Sequence, residues 1–366
     1  SKRIVNFIKK SNGIEVMRVI FVPSFPFTFT PPGGGRIQVL KTKEYLEKLG
    51  IEVKFWNPEK NYALDKDSDI FHIFSSDWSL AQLAMLIKKL GYTYVVSTIF
   101  WEPNWFKVIA HKVLSQIPLT QTNWRKRLLK EANLLLPNSN FEARHISEIF
   151  NIPLEKFWVV PNAVDSDFIG LDPDRFWETY IPELSKNERF ILSVAIIEPR
   201  KNTLSLIKAA CKIEAPLVLI GPESTLHQQY VQQVKDEIEK SKKAKKKILI
   251  KHIPGIYDRT MLANAFSAAW VHALVSFIET PGISTLEAGL NGANLVVSRL
   301  LPVLEYVGDY SWSVDPHNIE SIAKGLEEAL NSPRNFKNAK DYIKNNFTWE
   351  IAAKKTMEGY RKVFES

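Results

Sequence analysis

The sequence predicts an α/β protein built from two doubly wound parallel sheets. Three observations predict it. Short apolar runs recur along the chain and alternate with helical patterns, as buried parallel strands and their crossover helices do. The alternation fills two halves, separated by an irregular stretch at 171–188 that contains Pro173 and Pro182. The length, 366 residues, is most simply two domains.

Composition narrows the class. Hydrophobic residues make up 45% and charged residues 24%, as in ordinary globular proteins. No apolar run approaches the roughly 18 residues that cross a bilayer. Residues 1–10 lack the apolar core of a secretory signal, and lone Cys211 cannot form an internal disulfide, so a cytoplasmic location is expected. The net charge of +8 favours an anionic partner: a nucleotide, a nucleic acid or a lipid headgroup. The densest basic tract, Lys242–Lys247, has no interleaved aromatics and reads as a solvated helix end.

In the first half, the first strand is expected at Met17–Val22. A Pro-rich loop follows and ends in Gly33-Gly34-Gly35, before a helix from Arg36 to Leu49 closed by Gly50. Gly34 and Gly35 would let backbone approach a phosphate or sugar, with a plain flexible loop as the alternative. The run is neither a Gly-x-Gly-x-x-Gly fingerprint nor a P-loop. Strands are expected at Val53–Trp56, Ile70–Phe74, Tyr94–Phe100 and Leu134–Leu136. Helices are expected at Leu80–Leu90 and Phe141–Phe150, the second capped within Asn138-Ser139-Asn140. His72, late in a parallel strand, faces either a ligand crevice or the core. Between Trp101 and Arg127, Trp101, Trp105, Phe106 and Trp124 mingle with five cations. That mixture suits an anionic membrane surface or an amphipathic helix with snorkelling lysines.

In the second half, a strand at Phe190–Val194 leads into Glu198-Pro199-Arg200-Lys201-Asn202 and a helix at Leu204–Cys211. Two cations in a turn before a helix suit phosphate. Strands follow at Leu217–Gly221, Ile248–Ile250 and Ala269–Val275, with a glycine turn at Ile253-Pro254-Gly255-Ile256. The chain centres on Glu279-Thr280-Pro281-Gly282-Ile283-Ser284-Thr285-Leu286-Glu287. Gly282, Ile283 and Ser284 open a helix whose first N–H groups have no intrahelical partner, which makes an anion site. Asp-x-Asp occurs only in loops, and no His/Cys cluster has zinc spacing, so no metal is expected. A last helix runs from Trp349 to Phe364.

Glu279 to Glu287 resembles the Glu-x7-Glu signature of retaining glycosyltransferases of the GT-B fold, family-four type. Residues 157–165, ending Pro161-Asn162-Ala163-Val164-Asp165, are similar to that family's Val-x-Pro-Asn-Gly-Val-Asp. Asp69-Ile70-Phe71-His72 is similar to its Asp-x-x-His. The resemblance implies two Rossmann-like domains facing a cleft. Residues 1–170 would form an acceptor-side domain, 171–188 a linker, 189–347 a nucleotide-sugar domain, and 348–366 a helix returning to the first domain. It also implies transfer from a nucleotide-diphosphate sugar, by default a UDP-sugar, to a glycan or lipid-linked acceptor. The attack would be front-face, with no cofactor and no essential metal.

The roles implied fall on named residues. Glu279 would contact the donor sugar, and the backbone of Gly282, Ile283, Ser284 and Thr285 would bind the diphosphate. Glu287 would hold the ribose. Lys201 would neutralise the leaving diphosphate, with Arg200 supplying the charge of a family arginine whose place Ile196 takes. The backbone of Gly255 and Ile256 would meet the base, and Gly34 and Gly35 would face the donor phosphate. One departure stands out: Phe100 and Trp101 occupy the place of a family histidine, and Glu102, Asn104 or His111 could substitute. Two other readings stay open: a non-catalytic sugar-nucleotide-binding subunit, for this departure and that at Ile196, and a basic nucleic-acid-binding protein, for the net charge.

Overall fold

The computed structural model describes residues 17–24, 33–60, 62–186, 188–243, 248–280 and 282–365. Its contacts divide the chain into two compact units: Ser1–Asn162 with Trp349–Ser366, and Ala163–Thr348.

The first unit contains β1 (Arg18–Pro23), α1 (Gly34–Lys48), β2 (Glu52–Phe55), β3 (Ile70–Phe74), α2 (Ala81–Lys89) and β4 (Thr93–Ser97). α3 (Trp105–Leu114), α4 (Gln121–Glu131), β5 (Leu134–Leu135) and α5 (Asn140–Phe150) follow. The strands pair in parallel in the order β2-β1-β3-β4-β5. β3 is buried along its whole length, so its apolar run serves both faces of the sheet. α1 begins earlier than expected: Gly34 and Gly35 are its first two residues, and Gly33 is the extended N-cap. A Cβ on Gly35 would meet nothing within 4 Å, so no close packing demands glycine there. The rest of the Pro-rich loop, 25–32, lies outside the described residues.

His72 is a core residue. Its ring nitrogens bond the Tyr360 hydroxyl at 2.6 Å and Ser97 Oγ at 2.8 Å, and its ring stacks on Phe74. Burial holds it at about 3, so it is neutral at ordinary pH. Tyr360 belongs to the last helix of the chain, Trp349–Glu365, which lies in this unit.

The second unit opens with a correction. Residues 171–188, expected as a linker, contain α6 (Pro173–Tyr180), which buries Phe176 and Trp177 against Phe190. Pro173 occupies the first turn, where its missing N–H costs nothing, and Asp172 caps the helix by accepting from Arg175 N–H. A proline that reads as a breaker is here a helix start.

Six strands and seven α-helices follow among the described residues of this unit. They are β6 (Ile191–Val194), α7 (Thr203–Lys212), β7 (Leu217–Ile220), α8 (Gln228–Lys242), β8 (Ile250–Ile253) and α9 (Arg259–Ala268). Then come β9 (Val271–Leu274), α10 (Ile283–Leu290), β10 (Asn294–Ser298), α11 (Leu301–Val307), β11 (Trp312–Val314) and α12 (Ile319–Asn331), before α13 (Ala339–Asn346). β8 begins later than expected and ends on Ile253. The basic tract begins at Lys242, the last residue of α8, and residues 244–247 of it lie outside the described residues.

These strands are also all parallel, in the order β11-β10-β9-β6-β7-β8. Read outward from β6, the chain first winds to β7 and β8, then returns to the other side of β6 with β9, β10 and β11. The winding reverses between β6 and β9. Helices cover both faces, with one apolar cluster around Phe190, Phe266 and Leu286 and another around Ile207, Leu219 and Leu326.

Candidate active site

Loops leaving the carboxyl ends of two strands at a winding reversal splay apart and leave a crevice. Here those loops are 195–202 after β6 and 275–282 after β9, with Leu192 opposite His272 in the register. The first loop makes a tight turn at Pro199–Lys201 and reaches Asn202 in the left-handed region, φ 57°. Asn tolerates that conformation better than most residues. Its buried side-chain amide donates to the carbonyls of Val275 at 3.1 Å and Pro316 at 2.7 Å. Phe277 N–H donates to the Arg200 carbonyl at 2.9 Å. The two loops are thus fixed to each other before any charged side chain is counted.

The charged groups then converge. Lys201 Nζ forms an ion pair with Glu279 and donates to Oε2. Ser276 Oγ donates to the same oxygen at 3.1 Å. The Arg200 guanidinium lies 4.0 Å from Glu279 Oε1, pairs with Glu198 at 2.7 Å and donates to the Ile278 carbonyl at 3.2 Å. Burial alone would push the Glu279 carboxyl up. The charges of Lys201 and Arg200, with the hydrogen bonds from Lys201 and Ser276, outweigh it and hold the group below its ordinary value. Glu279 is therefore an ionised acid inside the protein.

The helix start lies just beyond. Gly282 has φ 74°, and a Cβ there would sit 2.5 Å from a methyl of Leu274, so only glycine fits. α10 begins at Ile283, and Thr285 N–H already donates to the Gly282 carbonyl at 3.0 Å. This corrects the expectation for Thr285: its amide is engaged by the helix. The donors left for an anion are the amides of Ile283 and Ser284. The Thr285 hydroxyl is buried and has no hydrogen-bond partner.

Glu287 lies one turn into α10 and is buried. Burial pushes its carboxyl up to about 8; Arg259 opposes the shift and Asp165 adds to it. At neutral pH the group carries its proton, so it can donate one hydrogen bond and accept others. Beside it, Arg259 pairs with Asp165 and lies over the Phe168 ring at 4.8 Å.

Gly255 and Ile256 follow β8 after Pro254, on the same carboxyl edge of the sheet. Ile256 is a core side chain, which leaves only its backbone for a ligand. Tyr257, 80% exposed, lies beside Gly255.

In the first unit, Gly34 and Gly35 open α1, as described. Past β4, Glu142 is fully buried and accepts from Phe100 N–H at 2.7 Å, from Asn138 N–H at 2.8 Å and from the Thr98 hydroxyl. Of the three residues weighed for the missing histidine, Asn104 caps α3 and His111 bonds Thr122 while packing on Phe100. Glu102 accepts from Asn104 N–H at 3.0 Å. A fourth group, unforeseen, is there: His145 of α5 packs on Trp101 with ring centres 4.4 Å apart.

The sequence reading also missed Ser276, Asn202 and Arg259. Ser276 stands three residues before Glu279, and Asn202 follows the Arg-Lys pair. Both spacings are visible once the loops are known to meet. Arg259 had no sequence signal.

Two family models match this chain: "Glycosyltransferase Family 4" over residues 19–168 and "Glycosyl transferases group 1" over residues 178–349. Together they span nearly all of it. The chain belongs to the family-four type of GT-B glycosyltransferases.

Relatives within this family include O-antigen chain mannosyltransferase B of Escherichia coli, 26% identical over 64% of this chain and 61% of that protein. Serotype-specific mannosyltransferase WbdA of Escherichia coli is 24% identical over 65% of this chain and 30% of that protein. Each match thus spans less than two thirds of the relative. Among solved structures, sucrose-phosphate synthase from Thermosynechococcus elongatus has a TM-score of 0.72 at 16% identity, covering 95% of this chain and 99% of that one. Anabaena HepE in complex with UDP and glucose has a TM-score of 0.72 at 15% identity, covering 95% and 100%. At such identity the likeness establishes the GT-B fold.

Proposed function

We propose that this protein transfers a hexosyl group, with retention of configuration, from a nucleotide-diphosphate sugar to a glycan or lipid-linked acceptor. The observation that carries the reading is the Lys201–Glu279 pair at the β6/β9 reversal, just before the α10 N-terminus. A diphosphate seated there would meet an ammonium, a guanidinium and two backbone N–H donors. As the bond from C1 of the sugar to the diphosphate breaks, its electron pair passes to the diphosphate oxygen. Donors already in position stabilise that charge, each by about 3 kcal/mol. The acceptor hydroxyl bonds to C1 on the face being vacated and gives its proton to a phosphate oxygen.

The remaining roles follow from the electrostatics. Glu279, ionised, accepts from sugar hydroxyls. Glu287, neutral, both donates to and accepts from a ribose diol. The backbone at Gly255 and Ile256 meets the base. No metal or cofactor has a part in the proposal. A UDP-sugar is the default donor. Mannosyl donors come next, because relatives are named mannosyltransferases. The O-antigen relative supports a role in polysaccharide synthesis, which would place the protein in the cytoplasm.

A thermal-shift panel of UDP-, GDP-, ADP- and dTDP-sugars, followed by radiolabelled transfer, tests this. The expected result is a rise with one nucleotide, lost in Glu287→Ala, and label moved to an acceptor. Binding without turnover on any donor would favour a non-catalytic subunit. Salt-sensitive binding to DNA or RNA that beats every nucleotide sugar would favour a nucleic-acid role.

A further inference from the structure

We propose that α3 and the turn that follows it form a surface that docks on an anionic lipid bilayer. α3 has no buried residue. Trp105, Phe106, Ile109 and Val113 are 60%, 65%, 49% and 57% exposed, and beyond the helix Ile117 and Leu119 are 46% and 82% exposed. Phe106, Ile109 and Val113 recur at three- and four-residue steps, so they share one side of the helix. The rings of Trp105 and Phe106 stack with centres 3.6 Å apart and extend that side into a single apolar knob.

The other side of α3 is anchored. Val108 packs on the core of the first unit, and the His111 ring lies against Phe100 and Phe150. An amphipathic helix ordinarily turns its apolar stripe inward. This helix turns it out.

Charge selects the occupant. Residues 103–130 contain six Lys and Arg and no Asp or Glu. Lys107 lies within α3, and Lys126 donates to the Gln116 side chain at 3.0 Å, which brings it to the turn. Acidic neighbours from outside the segment reach it through single pairs at its surface: Lys107 with Glu102 at 3.9 Å, Lys112 with Glu148 at 2.6 Å and Arg127 with Glu131 at 3.9 Å. Such pairs are weak and readily exchanged. A second copy of this chain would bring the same positive charge to the contact and be repelled. A bilayer with anionic headgroups accepts both components: aromatic and aliphatic side chains enter the interface, and the cations pair with phosphates.

Flotation of the full chain on vesicles tests this, using phosphatidylcholine alone and phosphatidylcholine mixed with phosphatidylglycerol. The protein is expected to float with the mixed vesicles at low salt and to be released as salt rises. Trp105→Ser with Phe106→Ser should weaken that binding at least about tenfold. Lys107→Glu with Lys126→Glu should weaken it too, which separates charge from apolar contact. All four side chains are solvent-facing or partly so, and unchanged circular dichroism confirms that the variants fold. No flotation of the wild type on mixed vesicles overturns the proposal, as does undiminished flotation of the Trp105/Phe106 variant. So does a mass in sedimentation that doubles with concentration and is reset by that variant, since the stripe would then be a self-association face.

Discussion

Lys201 and Glu279 stand 78 residues apart in sequence and form a shielded ion pair at the ends of two adjacent strands. The parallel order that sets β6 beside β9 creates that meeting; no local pattern does. The pair leaves the acid charged despite its burial, and it holds the lysine near the tip of α10.

Lys201→Ala should lower turnover by about a hundredfold to a thousandfold, equivalent to about 3 kcal/mol of transition-state binding, with a smaller change in KM. It also strips Glu279 of the charge that most opposes burial, so the Glu279 carboxyl should rise in that variant. Lys201→Arg should recover part of the rate. Single-turnover kinetics on the preferred donor check this, and unchanged turnover in the alanine variant would refute the role.

Glu287 gives stability a slope between about pH 4.5 and about pH 8. Its folded value of about 8 lies above the ordinary 4.5, so between these limits the folded state binds more protons than the unfolded one. Stability attributable to the group therefore falls as pH rises through that window, by an amount on the order of a few kcal/mol. Glu287→Gln, which keeps a neutral hydrogen-bonding group, should flatten the slope and be more stable than wild type near the top of it. Urea unfolding across the window measures the difference; parallel curves would show that Glu287 ionises freely.

His272 acts in the opposite direction. Both its ring nitrogens are buried without a hydrogen-bond partner, and burial, helped by Lys201, holds it at about 3. Between there and the ordinary 6.5 the unfolded chain binds the extra proton, so stability falls as pH drops below neutrality. His272→Leu should remove that acid-side loss. At neutral pH it should add about 1–3 kcal/mol, the cost of leaving a buried polar group unpaired. Unfolding curves at neutral and mildly acid pH check both parts, and a less stable variant would mean that the imidazole has a function in the fold.

Tyr360→Phe should cost about 1–3 kcal/mol by stranding a buried nitrogen of His72. The loss should appear in the first unit, where both residues lie. A neutral substitution, read by thermal unfolding, would mean that the bond is not needed to hold the last helix.

Much of this was legible in the sequence, for identifiable reasons. Strands such as Ile70–Phe74 are apolar on both faces and short, so their buried parallel setting shows in the residues. The acids at Glu279 and Glu287 and the glycine between them mark a loop and a helix start. Other features depend on partners far along the chain. Whether His72 faced a ligand or the core was decided by Tyr360, 288 residues away. The protonation of Glu287 is set by burial and by Asp165 and Arg259, which no local window contains. α6 was hidden because a proline inside a sequence pattern reads as a breaker, although its fixed φ equally suits the first turn of a helix. The outward stripe of α3 could not be told from an inward one, since a periodic pattern names a face and not its direction.

The central claim is that the diphosphate of an activated sugar sits on Lys201 and the first amides of α10. A crystal structure with the best-bound nucleoside diphosphate tests it most directly. The account predicts phosphate oxygens within hydrogen-bond distance of Lys201 Nζ and of the Ile283 and Ser284 amides, with the ribose on Glu287. A nucleotide bound elsewhere, with the Lys201–Glu279 pair undisturbed and remote from phosphate, would contradict it.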